Sequence, residues 1–333
     1  FKGVPGGRIQ SNAGTEWKST TYFNCFVGPQ PESDLDSLES IYKALTYQAH
    51  TLKSEGGYGM SFNFLRPRGA LIHGVGVESP GAVKFMELWD KSSEIVTSGS
   101  GLDRKSAKAK GKIRKGAQMS SLNIAHPDII EFITAKQTPG RLTKFNVSVE
   151  LPDEFLEKVN KITELKKVGA SEEEILEYDQ WDLIYPDTTH PEYREKWRGN
   201  FEDWIAAGLP VITYEKTSVR RIWNLIMEST YTRNEPGVLF LERANKLNPA
   251  RAAETLISTN PCGEIPLPPG GICCLGTLNL TKFLNQEATD FDYEKVAYYA
   301  KVMVRFLDNV NTRSDAPLPE YRWSKEHKRR IGA

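Results

Sequence analysis

The sequence predicts an α/β protein whose reactive groups sit on connections. Short apolar stretches alternate with stretches of three-and-four apolar spacing along the 333 residues. Three of the four cysteines crowd into a connection rich in Gly and Pro. Strands alternating with helices bury their apolar faces against one another, and loops on such a scaffold are where chemistry is usually placed.

Residues 33–54, SDLDSLESIYKALTYQAHTLKS, align Leu35, Leu38, Ile41, Leu45, Ala49 and Leu52 on one helical face behind Ser and Asp caps, and glycines end the helix. GGYGMSFNFLRPRGALIHGVG is cut by Gly and Pro into short extended pieces, and Pro80 opens a second helix through Val83, Met86 and Trp89. A Gly/Lys-rich loop spans 98–116. MSSLNIA then reads as a strand, HPDIIEFITAK as a helix begun by Pro127 and Asp128, and Phe145–Val149 as a strand. Residues 151–215 turn polar, Trp-rich and irregular, with helical pieces at 153–167 and 171–178, an excursion on the same domain. A helix follows at 218–232, carrying Val219, Ile222, Leu225 and Ile226. PGVLFLE reads as a buried strand, TLNL as another, and 293–312 as a long helix. The stretch from His327 reads as a charged helical segment entering a Gly-containing turn.

Charge is balanced at 43 basic and 43 acidic residues, so no global field points to nucleic acid or a membrane surface. No apolar run approaches the roughly 20 residues of a spanning helix, and Phe1-Lys2-Gly3-Val4-Pro5 has no signal-peptide core. The expectation is a cytoplasmic protein with reduced thiols, since four cysteines are too few for a disulfide scaffold.

NPCGEIPLPPGGICCLGTLNL concentrates the chemistry. Asn260, Cys262 and Glu264 are spaced by two, so in an extended loop all three address one pocket. The plainer alternative makes Cys262 a small buried hydrophobe, Asn260-Pro261 a turn starter and Glu264 a solvated charge. Cys273 and Cys274 invite a metal reading, which five dispersed histidines and the lack of any CxxC disfavour. Adjacent cysteines are strained as a mutual disulfide, so at most one pairs with a distant thiol. Cys25, in TTYFNCFVG, is the remaining cysteine, and composition alone makes it a core residue. The loop DRKSAKAKGKIRKGAQ sets Arg104, Lys105, Lys108, Lys110, Lys112, Arg114 and Lys115 against one Asp. Such a run is a solvated face, a phosphate-wrapping loop or a patch for any polyanion.

Taken in order, FNCFV, DSLESI, GGYGMSFNFLRPRGALIHG, RKGAQMSSLNIAHPDIIEFI, EPGVLFLERAN and NPCGEIPLPPGGICCLGTLNL resemble the large catalytic subunit of ribonucleotide reductases over nearly the whole chain. LPPGGICCLG looks most like the adenosylcobalamin-dependent class II. The resemblance implies a ten-stranded α/β barrel of the ribonucleotide reductase/glycyl-radical type, here its N-terminal part with the finger loop. On that frame, 1–32 is an entry segment with the first redox-cysteine strand and 33–150 carries effector-binding helices and loops. Residues 151–215 are the excursion, and 216–333 the finger loop and following helix.

The implied activity is reduction of ribonucleotides to 2′-deoxyribonucleotides by a thiyl-radical mechanism. Cys262 matches the cysteine that becomes the thiyl radical, a shielded thiol at a loop tip inside the barrel. Glu264 matches the base for the 3′ hydroxyl, and Asn260 the residue that holds the sugar hydroxyls. Cys25 and Cys273 match the reducing dithiol, and Cys274 falls to packing. Asp36, Ser37, Arg66 and the loop holding Lys112, Arg114 and Lys115, as far as Gln118, match the site for a deoxynucleotide or ATP effector at a homodimer interface.

The implied cofactor is adenosylcobalamin. The oxygen-dependent class I alternative uses a diiron-tyrosyl radical on a separate subunit. The implied partners are ribonucleotide substrate, a thioredoxin-type reductant and a C-terminal half of the barrel, without which this chain alone is incomplete as an enzyme. Two rivals stand beside this reading: a nonenzymatic regulator binding deoxynucleotides at 34–118, and a polyanion-binding fragment using 104–115.

Overall fold

The computed structural model describes residues 1–15, 20–97 and 117–333. The chain enters through β1 (Gly3–Pro5) and α1 (Gly7–Asn12), then β2 (Cys25–Val27), α2 (Leu38–Lys53) and β3 (Gly57–Ser61). A small hairpin, β4 (Leu71–Ile72) and β5 (Val77–Glu78), precedes α3 (Ala82–Thr97), β6 (Gln118–Asn123), α4 (Ile129–Thr134) and β7 (Phe145–Glu150). Next come α5 (Asp153–Lys167), α6 (Glu172–Leu176), β8 (Trp181–Pro186), α7 (Tyr193–Lys196), α8 (Phe201–Ala206) and β9 (Val211–Thr217). The last part holds α9 (Val219–Arg233), β10 (Gly237–Leu239), α10 (Leu241–Leu247), β11 (Ser258–Thr259), β12 (Pro266–Leu267) and β13 (Ile272–Leu278). It closes with α11 (Tyr293–Arg313), α12 (Pro319–His327) and β14 (Ile331–Gly332).

β2, β3, β6, β7 and β10 lie parallel and side by side, each reached by a crossover. β13 adds antiparallel to β2 and pairs elsewhere along its length with β1 and β14. The result is a curled mixed sheet, the N-terminal part of an α/β barrel. Helices cover its outer face, where Trp89 of α3 meets Phe62 edge to face at 5.2 Å and Phe62 meets Phe145 at 5.9 Å. Gln48 of α2 donates to the Trp89 carbonyl at 2.9 Å and to Gln118 Oε1 at 2.8 Å, which ties α2, α3 and β6 through a buried polar link. β3 and β6 are buried along their whole lengths, as parallel strands covered on both faces should be.

The local readings translate with shifts at their ends. α2 starts at Leu38 because Ser37 caps it, its hydroxyl accepting from Ser40 N at 3.2 Å. α3 starts two residues after Pro80, and its first amide, Ala82 N, donates to Asp128 at 2.7 Å. Residues 181–186 and 211–217, unassigned by periodicity, form an antiparallel ribbon apart from the main sheet. PGVLFLE is a correction. Only Gly237–Leu239 is strand, and Gly237 and Val238 are exposed, because β10 pairs with β7 on one side and leaves its other edge open. TLNL is another: the strand begins earlier, at Ile272, and ends before Asn279, whose side chain caps a 3-10 turn. Cys273 and Cys274 therefore sit in regular strand. Among the described residues no helix is long and apolar enough to cross a membrane.

Candidate active site

β11 and β12 pair antiparallel, Thr259 opposite Pro266, and make a finger whose tip is residues 260–265. Gly263, at φ +81°, takes the left-handed turn that the tip requires. Asn260 is buried and closes the tip from inside, its Oδ1 accepting from Ile265 N at 3.1 Å and its carbonyl from Gly263 N at 3.0 Å. The finger lies directly on β3. A Cβ on Gly59 would stand 1.7 Å from the Thr259 carbonyl oxygen, and one on Gly57 2.8 Å from Pro261 Cγ. Asn146 of β7 pins the same turn, donating to the Pro261 carbonyl at 2.7 Å. Sequence reasoning missed these three residues, although glycines alternating inside a strand signal close backbone approach.

Cys25 and Cys273 are direct register partners across β2 and β13. Opposed antiparallel residues stand about 4.5–5.5 Å apart at Cα, inside the range of about 4.4–6.8 Å that a disulfide spans. Both are buried, and the Cys25 thiol donates to Glu264 Oε1 at 3.8 Å. Burial first, and then the Glu264 carboxylate with the other two site thiols, pushes the Cys25 thiol far above its ordinary range. Burial pushes Cys273 up to about 12 and Cys274 up to about 11. Cys274 faces away, its thiol against the Leu307 carbonyl of α11 at 3.5 Å.

Cys262 is exposed, as is Glu264. The shielded radical cysteine expected from the resemblance is thus open to solvent here. Its thiol is still pushed up, by partial burial and by Glu264. The structure therefore gathers Cys25, Cys262, Glu264 and Cys273 into one electrostatic neighbourhood, with Asn260 shaping the loop that holds two of them.

Asp36, Ser37 and Arg66 line one cleft of about 420 Å³ with His73, Tyr193 and Arg194. Asp36 is buried, ion-paired with Arg66 Nε and accepting from Tyr193 OH at 3.0 Å. Burial pushes its carboxyl up, and Arg66 opposes the shift. Ser37 is engaged as the helix cap. Lys112, Arg114 and Lys115 lie outside the described residues.

Sequence reasoning also passed over Glu150, at the end of β7. It is buried and accepts from Ser61 Oγ at 3.0 Å, Ser121 Oγ at 2.6 Å and Asn63 Nδ2 at 2.7 Å. No cation pairs with it among these contacts, and burial pushes its carboxyl up to about 7.

The scaffold is thus a parallel barrel wall with a cysteine-bearing finger laid across it and two opposed thiols on β2 and β13. The chain belongs to the ribonucleotide reductase barrel-domain family, whose model matches residues 23–333. It is 30% identical over 99% of its length to a vitamin B12-dependent ribonucleoside-diphosphate reductase of Thermoplasma acidophilum, and covers 36% of that protein. A reductase of the same description from Mycobacterium tuberculosis is 31% identical over 99% of the chain, which covers 39% of it. A ribonucleoside-diphosphate reductase large subunit of Trypanosoma brucei brucei is 26% identical over 96% of the chain, which covers 35% of it. The chain thus spans little more than a third of the length of these relatives.

Proposed function

We propose that this chain carries the reducing site of an enzyme that converts ribonucleotides to 2′-deoxyribonucleotides. The observation that carries the reading is the direct opposition of Cys25 and Cys273 with Glu264 on the Cys25 thiol.

The balance of the reaction assigns each group. A Cys262 thiyl radical takes the ribose 3′ hydrogen and becomes a thiol, while Glu264 accepts the 3′ hydroxyl proton. The 2′ hydroxyl leaves as water with one proton from the thiol pair, whose other hydrogen goes to the 2′ carbon and whose two electrons reduce the sugar as Cys25 and Cys273 join in a disulfide. Cys262 then returns its hydrogen to the 3′ carbon and is again a thiyl radical, while Glu264 gives the proton back to the 3′ oxygen. Asn260 acts by holding the finger tip in register, so that Cys262 and Glu264 meet one ribose.

The names of the B12-dependent relatives support adenosylcobalamin as radical source, and the exposed Cys262 leaves its thiol within reach of such a group. When bound, that cofactor supplies the oxidising equivalent for the Cys262 thiol. The large-subunit relatives support the alternative source, a diiron-bearing partner subunit. Substrate, effectors, an external dithiol reductant, the rest of the barrel and a second copy of the chain are the partners that this reading requires. Asp36, Ser37 and Arg66 are the effector contacts that it assigns to the described residues.

Disulfide mapping by mass spectrometry after mild oxidation tests the reading. The expected result is a Cys25–Cys273 link that dithiothreitol reverses. A folded protein that forms no such link removes the dithiol from the mechanism.

A further inference from the structure

Arg330 stands at the far end of the thiol row. β14 pairs parallel with β13, Ile331 opposite Cys274 and Gly332 opposite Leu275, and Arg330 directly precedes that strand. Residues level on neighbouring strands present side chains to the same face. Gly332 lies opposite Leu275, two residues from Cys273 and so on the Cys273 face, and a Cβ there would lie 3.6 Å from Cys273 Sγ. The guanidinium is held by Glu254, which contacts Arg330 Nη2 through both oxygens and Lys328 Nζ at 3.2 Å. Arg330 Nη1 is buried and has no hydrogen-bond partner. A buried guanidinium nitrogen without an acceptor is costly unless negative charge develops beside it.

We propose that Arg330 is a positioning residue for the redox pair, which stabilises Cys273 as the thiolate when the Cys25–Cys273 disulfide is reduced. This rests on the dithiol reading above. Two opposite charges make the pair asymmetric. Glu264 accepts from Cys25 and disfavours its thiolate, whereas Arg330 favours that of Cys273. Thiol–disulfide exchange runs best when the departing sulfur is the better-stabilised thiolate. An external dithiol therefore attacks Cys25 Sγ, the S–S bond breaks, and its electron pair leaves on Cys273 Sγ. The second thiol of the reductant then resolves the mixed disulfide, is itself oxidised, and releases Cys25. Two further groups act on Cys273, Glu264 from the finger and Cys274, next on the strand though turned to the other face, and both oppose its ionisation. Asp308 of α11 acts on Cys274, on the opposite face.

The test measures alkylation of Cys273 against pH by mass spectrometry in the reduced chain, and the rate of dithiothreitol reduction in the oxidised chain. It compares wild type with Arg330→Met, Arg330→Lys and Glu254→Gln. Arg330→Met should slow both about three- to tenfold at fixed pH, Arg330→Lys should recover most of the loss, and Glu254→Gln, which unmasks the guanidinium, should speed both. A merely structural Arg330–Glu254 pair would move Met and Gln variants the same way, and that result overturns the proposal. Equal profiles in folded wild type, Arg330→Met and Glu254→Gln variants overturn it as well. Absence of the Cys25–Cys273 link in wild type sinks the dithiol reading itself, and is read separately because alkylation needs no disulfide.

Discussion

Thr259 and Gly59 meet backbone to backbone: the carbonyl oxygen of the first occupies the space where a Cβ on the second would stand, at 1.7 Å. The finger is thus seated by an absent side chain. What Cys262 and Glu264 do depends on that seat, to which Asn146 adds a hydrogen bond to the Pro261 carbonyl and Cys25 one to Glu264.

Gly59→Ala should therefore displace the finger. The clash is with main chain, which cannot rotate aside, so a destabilisation of about 3 kcal/mol is expected. Urea denaturation reads the loss, and Cys25–Cys273 crosslinking should survive it, since β2 and β13 pair independently of the finger. A variant as stable as wild type would show that the finger does not lie on β3.

The four thiols should react in a set order. Cys262 is exposed and should be alkylated by iodoacetamide first, with Cys274, Cys273 and Cys25 far behind. Glu264→Gln removes a negative charge that disfavours the thiolates of Cys262 and Cys25, so alkylation of Cys262 at pH 8 should rise about two- to fivefold. Unchanged rates would mean that Glu264 points away from both thiols.

Glu150 should make stability fall with rising pH. Burial raises its carboxyl to about 7 from the ordinary 4.5, so the folded state holds a proton that the unfolded chain has released between those values. Its contribution is full below pH 4.5 and is lost as pH rises through about 7, a change of roughly 3 kcal/mol. Glu150→Gln should flatten the difference between pH 5 and pH 8 in thermal melts. An equal slope in both proteins would assign the dependence to another group.

The Asp36–Arg66 pair should be worth more broken than kept. Arg66→Ala leaves Asp36 buried with Tyr193 as its remaining side-chain partner, which should cost roughly 3 kcal/mol. Asp36→Asn with Arg66→Met should recover part of it. In calorimetric titration with deoxynucleoside triphosphate, the same Arg66→Ala variant should bind at least tenfold more weakly if the cleft is the effector site. Equal binding would place the effector elsewhere.

By itself the sequence determined what depends on neighbours along the chain. The bounds of α5 are those that its apolar spacing and its opening Pro152-Asp153 dictate, and Ser37 starts α2 because its hydroxyl can serve a helical amide three residues on. Ordered motifs also led to the expectation that Cys25, Cys262 and Cys273 form one chemical set, since each keeps its own local wording. Tertiary structure alone decided the rest. The register that opposes Cys25 to Cys273 is set by burial of whole strands, and a slip of one residue would turn the thiol to the other face. The approach of Gly332 to Cys273 follows from a strand of two residues, too short to leave a period in the sequence. The exposure of β10 was illegible for a related reason: an apolar run reads as buried, but only the neighbouring strand decides whether it is.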